Sequence, residues 1–151
     1  MRNELVISNI LLTRACPYKC DFCRIVKNYE DSPYRDVSSY TMLEPIKWIA
    51  ALSILEDYGC LFHTIYGGEP ALYPKLEELV MLLNQTDKCY TFITSGYNHE
   101  KWFDIQETHG IKGISASVDI TDGVGDRAEK SKSGLMKCGT PLIRGVTLKT
   151  N

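Results

Sequence analysis

Short apolar runs alternate along this chain with longer stretches in which apolar residues recur at helical spacing. The runs predict strands at residues 5–13, 61–66, 89–94, 113–119 and 142–149, and the stretches predict helices at 42–58, 74–83 and 99–109. Strands joined through helices must be parallel neighbours with right-handed crossovers. At 151 residues the chain is too short to close an eight-stranded barrel, which needs about 250 residues. We therefore expect an α/β fold with a parallel (βα)n sheet of about five strands.

The periodicity also predicts which side chains face the core. The first helix should bury one stripe, formed by Ile46, Ile49, Ala50, Ile54 and Leu55. The second helix should bury Leu76, Leu79, Val80 and Leu83. On the fourth strand, alternation directs Ile114, Ala116, Val118 and Ile120 toward the helices and Ser115, Ser117 and Asp119 toward the interior. A polar inner face predicts a wet or ligand-filled interior.

The composition is that of a globular protein and excludes several classes of function. Hydrophobic residues make up 44% of the chain, which is enough apolar material to form a core. The formal charge of -2 leaves no overall positive field that would attract nucleic acid or anionic lipid. No apolar run approaches the length of a membrane span, about 18 residues, and the first residues do not match a signal peptide. We expect one domain, 1–151, that is cytoplasmic and has no membrane partner.

Polar motifs follow the predicted strands where they end. The first strand is followed by Cys16, Cys20 and Cys23, the second by Gly67, Gly68, Glu69 and Pro70, and the third by Thr94, Ser95 and Gly96. The carboxyl ends of parallel strands meet at one edge of a sheet, where α/β enzymes carry their sites. These motifs therefore predict a single site at that edge.

The cysteine spacing predicts a metal centre. Three thiolates within eight residues can surround one metal, and thiolates select zinc, copper(I) or iron-sulfur clusters. Structural zinc needs four ligands, and no further Cys or His lies near in sequence, whereas a cubane cluster with one open iron needs only three protein ligands. A zinc-binding α/β protein with a distant fourth ligand stays an alternative. The other cysteines, Cys60, Cys89 and Cys138, are expected to be small buried residues, and His63 is expected to be a strand residue.

Together these motifs resemble those of the radical S-adenosylmethionine (radical SAM) enzymes. The resemblance rests on the three-cysteine spacing with the aromatic Phe22 before the last cysteine, on the flanking segment 13–20, and on the segment 67–70. Ser117 and Asp119 on the fourth strand extend it. The family has a partial TIM-type barrel, usually of six strands, so the resemblance implies a core domain truncated before its sixth strand, with a strand and a helix missing.

The resemblance also implies a mechanism and two cofactors. In such an enzyme Cys16, Cys20 and Cys23 would ligate a [4Fe-4S] cluster whose open iron chelates S-adenosylmethionine. Reductive cleavage would give methionine and a 5'-deoxyadenosyl radical that abstracts hydrogen from an unidentified substrate. Such an enzyme takes its electron from a donor such as flavodoxin or ferredoxin.

The resemblance further implies a set of contacts to S-adenosylmethionine. Phe22 would pack beside the adenine, and Gly67 and Gly68 would let the methionine ammonium approach the backbone. Glu69 would add complementary charge, its alternative role being a helix-start carboxylate before Pro70. The ribose contacts would fall to Ser117, Ser95 and Asp119, the methionine carboxylate to Arg127, and a further contact to Asn151.

An incomplete barrel has consequences for partners. The fifth strand would present an unpaired edge, which natural proteins normally cover. A homodimer, a completing subunit or an absent C-terminal half is therefore expected. The alternative hypothesis is a non-catalytic module that binds the cluster and S-adenosylmethionine, or a truncated subunit completed by a partner chain. A half-open barrel would admit a bulky substrate such as a peptide or a protein.

Overall fold

The computed structural model describes residues 6–18, 23, 42–118 and 145–146, and of residues 117, 118, 145 and 146 it describes the backbone alone. The strands are β1 (Val6–Thr13), β2 (Cys60–Gly67), β3 (Tyr90–Thr94), β4 (Ile114–Val118) and β5 (Gly145–Val146). The helices are α1 (Pro45–Asp57), α2 (Leu76–Gln85) and α3 (His99–His109), with a 3-10 turn at Pro70–Leu72. The five strands lie in the order β1-β2-β3-β4-β5 and every neighbouring pair is parallel. The predicted α/β fold is confirmed.

Local signals account for the helix ends. Pro45 occupies the first turn of α1, where its missing N–H costs nothing, and Gly59 follows that helix with φ +90°. The α3 helix begins after Asn98, whose Oδ1 accepts a hydrogen bond from the Lys101 backbone N–H at 3.4 Å. It ends at Gly110, whose φ of +72° suits glycine.

The core lies between the helices and the outer face of the sheet. The Phe92 ring packs 5.3 Å from Trp102 of α3 and 5.5 Å from Tyr90 of its own strand. On β4, Ile114 and Ala116 are buried in this core, as the alternation predicts. The α2 stripe is also buried as predicted, through Leu76, Leu79, Val80 and Leu83. The sheet therefore has its apolar side under the helices and its other side toward the barrel interior.

The predicted stripe on α1 is wrong in part. The helix buries Pro45, Ile49 and Leu52, whereas Ile46 is 59% exposed and Ile54 is 57% exposed. Ile46 and Ile54 stand two turns apart and share a face with Ala50, and that face turns away from the sheet. Because α1 carries apolar residues on most of its circumference, their spacing alone did not select the packed side.

A polar network lies beneath α1. The buried His63 ring places Nδ1 2.7 Å from Ser8 Oγ and Nε2 3.2 Å from Glu56 Oε1. Lys88, also buried, pairs with Glu56 and donates to Ser53 Oγ at 2.9 Å. His63 is a strand residue, as predicted, and its side chain connects β2 to β1 and to α1.

The solitary cysteines differ in their surroundings. Cys60 is buried, as predicted, but Cys89 is exposed because it precedes β3 at the amino edge of the sheet, outside the core. Cys138 lies outside the described residues. None of the helices in the described part of the chain is long and apolar enough to cross a membrane.

Candidate active site at the carboxyl ends of the strands

Backbone hydrogen bonds join the cysteine loop to the segment after β2. The Gly68 N–H donates to the Thr13 carbonyl at 2.7 Å, and the Glu69 N–H donates to the Ala15 carbonyl at 2.7 Å. These bonds continue the parallel pairing of β1 with β2 beyond the last paired residues, Thr13 and Gly67. Ala15 is held in place because its carbonyl oxygen accepts the hydrogen bond from Glu69, and Cys16 is the next residue in the chain.

The two glycines are required by this close approach. A Cβ atom on Gly67 would lie 2.4 Å from the Thr13 carbonyl oxygen, and one on Gly68 would lie 2.2 Å from the Ala15 carbonyl oxygen. Both obstacles are backbone atoms, which cannot move aside as a flexible side chain can. Chain packing therefore explains the glycines independently of any ligand, and the predicted ammonium contact stays a prediction.

The Glu69 side chain is fully buried and its carboxylate accepts hydrogen bonds on both oxygens. Oε1 accepts from the Ala71 N–H at 3.1 Å and from Thr94 Oγ1 at 2.6 Å. Oε2 accepts from the Ser95 N–H at 2.9 Å and from Ser95 Oγ at 2.5 Å. The carboxylate thus fills the helix-start role and also reaches across to the end of β3.

The loop after β3 is shaped by the same contacts. Thr94 Oγ1 accepts a hydrogen bond from the Gly96 N–H at 3.0 Å while it donates to Glu69. Ser95 presents both its backbone and its hydroxyl to the carboxylate. The predicted site residues Glu69 and Ser95 are therefore brought together, and a ribose contact for Ser95 stays a prediction.

Two of the three predicted cluster ligands, Cys16 and Cys23, lie within the described residues. Cys16 and Cys23 are half-buried thiols that form no disulfide within the described part of the chain. Cys20 and Phe22 lie outside the described residues, and within those residues no three His, Cys, Asp or Glu side chains gather into a metal site. Tyr18, in the cysteine loop, packs edge-on against Tyr97, with ring centroids 6.1 Å apart. This contact brings the cysteine loop beside the loop after β3.

Four other predicted contacts stay untested. Asp119, Arg127 and Asn151 lie outside the described residues. Ser117 pairs with Gly145 through the backbone of β4, and its side chain is not among those described. Its neighbour Ser115 is half-buried and alternates with the two core residues of β4, which agrees with a polar inner face.

Two supporting residues were not predicted. Lys101 Nζ donates to the carbonyls of Ala71 at 2.9 Å and Tyr73 at 3.2 Å, and the Tyr73 hydroxyl donates to the Leu43 carbonyl at 2.6 Å. Burial lowers the pKa of Lys101, although the negative charge of Glu77 acts to raise it. Burial raises the pKa of Tyr73 to about 12. Nothing local in the sequence indicates these roles, because each partner lies about 30 residues away in the chain.

A family model for the Radical SAM superfamily matches residues 10–132 of the chain. The chain belongs to the radical SAM superfamily. The match begins within β1 and spans the cysteine loop, the double-glycine segment and strands β2 to β4.

Named relatives agree with this membership. An S-adenosylmethionine-dependent nucleotide dehydratase of Thermoplasmatales archaeon (strain ISO4-H5) is 27% identical over 119 residues, which cover 76% of this chain and 38% of that protein. A PqqA peptide cyclase of Xanthomonas euvesicatoria pv. vesicatoria (strain 85-10) is 27% identical over 146 residues, 93% of this chain and 37% of that protein. The chain thus spans less than two fifths of the length of either relative.

Solved structures show the same fold. SuiB of Streptococcus suis bound to S-adenosylmethionine superposes with a TM-score of 0.73 at 17% identity, covering 99% of this chain and 35% of SuiB. SuiB bound to the precursor peptide SuiA gives a TM-score of 0.73 at 18% identity, covering 99% and 34%. The chain therefore shares the fold of the corresponding third of SuiB.

Membership in this superfamily implies a [4Fe-4S] cluster and S-adenosylmethionine as cofactors, and the described residues fit them. Cys16 and Cys23 offer soft sulfur donors at the carboxyl edge of the sheet, in a loop whose start is anchored by Glu69. The exposed Cys89 and the buried Cys60 lie away from that edge and are not part of the donor set.

Proposed function

We propose that this chain forms the cluster-binding and S-adenosylmethionine-binding part of a radical SAM enzyme. The observation that carries the proposal is the anchoring of the cysteine loop, through Ala15, to the double-glycine segment and onward to the end of β3. A metal-binding loop held in place by the sheet suits a centre that must meet a second ligand at a defined position.

The proposed roles follow the site from residue to residue. Cys16, Cys20 and Cys23 hold the cluster, and Phe22 packs against the adenine. When bound, the cluster supplies the electron that cleaves S-adenosylmethionine to methionine and a 5'-deoxyadenosyl radical, which abstracts hydrogen from the substrate. When S-adenosylmethionine is bound, the backbone of the double-glycine segment would hold the methionine ammonium. Its ribose would be held by Ser117, Ser95 and Asp119, its carboxylate by Arg127, and Asn151 would make a further contact.

Anaerobic reconstitution tests the proposal. The protein is reconstituted with iron and sulfide, reduced with dithionite and given S-adenosylmethionine, and 5'-deoxyadenosine is measured by chromatography. Its formation supports an enzyme, and a cluster without it supports the non-catalytic module. Cys20→Ala should abolish iron binding, whereas Cys89→Ala, which removes an exposed thiol at the opposite edge, should leave the iron content unchanged. A colourless protein with stoichiometric zinc would contradict the proposal.

A peptide is the proposed substrate. SuiB was solved with its precursor peptide, and one relative is a peptide cyclase, although others, such as the dehydratase, act on nucleotides. The inner face of the sheet supports the choice, because its described members are uncharged: Ile7, Asn9, Leu11, Phe62, Thr64, Tyr66, Thr91, Ile93 and Ser115. A nucleoside triphosphate would call for basic side chains against its phosphates.

Two mixtures distinguish these substrate classes. Random-sequence decapeptides and the common ribonucleoside triphosphates are added separately to the reconstituted protein, and the rate of 5'-deoxyadenosine formation is compared with the rate without substrate. Stimulation by the peptides alone supports the proposal, and stimulation by the nucleotides alone contradicts it. Flavodoxin or ferredoxin is the proposed electron donor, and a homodimer or a completing chain is proposed to cover the edge of β5.

A further inference from the structure

Glu69 is a buried carboxylate whose recorded partners carry no charge. The donors to its two oxygens are the N–H groups of Ala71 and Ser95 and the hydroxyls of Thr94 and Ser95. Among the described residues no lysine, arginine or histidine forms an ion pair with it. A buried carboxylate is costly unless hydrogen bonds satisfy it, and here four donors do so.

The hydrogen bonds of Glu69 connect segments that are far apart in the sequence. Its own N–H binds the Ala15 carbonyl at the start of the cysteine loop, while its side chain binds the loop after β3. One residue therefore joins three of the segments that carry proposed cofactor contacts, namely the cysteine loop, the double-glycine segment and the loop after β3. Both carboxylate oxygens already accept hydrogen bonds from the protein, so the carboxylate serves to hold these loops together.

We propose that Glu69 is a positioning residue: its carboxylate sets the spacing between the cysteine loop and the loop after β3. Through that spacing, and without touching the cofactor, it controls the affinity of the protein for S-adenosylmethionine. This inference rests on the proposed function and adds a role for the side chain. The cofactor then meets loops already held at the right separation, which reduces the ordering that binding would otherwise require.

Glu69→Gln is a sharp perturbation because of where the two backbone donors point. The Ala71 N–H faces Oε1 and the Ser95 N–H faces Oε2. The hydroxyls can rotate, but a backbone N–H cannot, so either orientation of the glutamine amide sets its NH2 group against one of them. Size and shape are retained while one backbone bond is lost, either the tie to the Ser95 N–H of the loop after β3 or the bond to the Ala71 N–H that holds the carboxylate in place.

The measurements are made on the full chain after anaerobic reconstitution. Equilibrium dialysis gives the Kd for S-adenosylmethionine, and electron paramagnetic resonance of the reduced cluster reports the spectral change that the cofactor causes. If binding must restore the ordering that this hydrogen bond to a charged group otherwise provides, the Kd of Glu69→Gln should be about tenfold weaker. The spectral change should shrink in the same variant, which lost stability alone would not produce.

Glu56→Gln is the matched control. Glu56 is also a carboxylate with side-chain partners, Lys88 and His63, but it belongs to the last turn of α1, away from the loops. The Glu56→Gln variant should unfold at a lower urea concentration without any change in the Kd for S-adenosylmethionine. If both variants bind S-adenosylmethionine as the wild type does, or if both weaken it equally at the same fraction folded, the positioning role is refuted. Should Glu69→Gln fail to fold, Thr94→Val, which removes the hydroxyl that donates to Glu69 Oε1 from a residue with no proposed cofactor contact, should weaken the Kd in the same direction.

Hydrogen exchange separates this inference from the proposed function. In the apo-protein, Glu69→Gln should speed exchange of the backbone N–H groups in segments 14–18, apart from Pro17, and 94–97, and leave those of α1 unchanged. A wild-type protein that takes up no cluster would contradict the proposed function, yet the exchange result still decides whether Glu69 couples the loops. Unchanged exchange at residues 14–18 would overturn the inference even in an active enzyme.

Discussion

Gly68→Ala tests the packing that holds the cysteine loop. The new Cβ would lie 2.2 Å from the Ala15 carbonyl oxygen, and it would also approach the Ala15 carbonyl carbon at 2.6 Å and the Arg14 carbonyl oxygen at 2.7 Å. Real Cβ atoms do not approach backbone atoms this closely, so the two segments must separate. Separation would stretch the bonds from Gly68 to Thr13 and from Glu69 to Ala15, each of which is 2.7 Å long.

The size of the effect follows from these contacts. Forcing an extra methyl group into a packed site costs about 1–3 kcal/mol. Losing the two backbone bonds costs about 1 kcal/mol each. A total of about 3–5 kcal/mol is a large share of the about 5–15 kcal/mol that stabilises an ordinary domain. Gly68→Ala should therefore unfold at a clearly lower urea concentration.

Urea denaturation followed by circular dichroism measures this change, and Gly59→Ala is the control. A Cβ on Gly59 would meet nothing within 4 Å, so its cost comes only from the φ of +90°, about 1–2 kcal/mol. Gly68→Ala should be the more damaging of the two variants, although the φ of Gly68 is not positive. A Gly68→Ala protein within about 1 kcal/mol of the wild type would refute the close approach.

Three further predictions concern the residues that support the sheet and its loops. Lys88→Met should destabilise the protein by about 1–2 kcal/mol in urea denaturation, because it removes the partner of a Glu56 carboxylate that is only partly exposed to water. Burial acts to raise the pKa of Glu56, but Lys88 and His63 outweigh it and hold that pKa below its ordinary value of 4.5. The ionised Glu56 therefore stabilises the fold above that value, and its contribution is lost as the pH falls through the lowered pKa; a pH series should show a smaller loss in Glu56→Gln. Tyr73→Phe, which deletes the hydrogen bond to the Leu43 carbonyl, should lower the free energy of unfolding by about 1 kcal/mol, and an unchanged value would show that this bond is not formed in solution.

The parts of the fold that local chemistry determines could be predicted from sequence. The α3 helix lies at the predicted residues because Gly110 supplies a stop that few other residues could. The face of α1 was mispredicted because hydrophobicity is spread around it, and the choice between Ile46 and Leu52 depends on the shape of the sheet beneath. Propensity and spacing therefore predict which residues form a helix or strand better than they predict which of its faces packs against the core.

The candidate site divides in the same way. The motifs at the carboxyl ends were predicted from their order along the chain, since the topology of a parallel sheet brings those ends together. The destination of the Glu69 carboxylate could not be predicted, because Thr94 and Ser95 lie 25 and 26 residues away from it. The reason for Gly68 was equally hidden, since a glycine that admits a ligand and one that admits another chain segment look alike in sequence.

The anchoring of the cysteine loop links the stability of the fold to the retention of metal. Ordering one residue costs about 1–2 kcal/mol. If the loop were flexible before the metal binds, this cost would weaken the affinity for the metal. Here the bond from Glu69 to Ala15 orders the chain up to the residue before Cys16 during folding itself. Gly68→Ala should therefore weaken iron retention even under conditions in which the protein stays folded. Glu56→Gln should not, because the network beneath α1 stabilises the sheet without touching the loop.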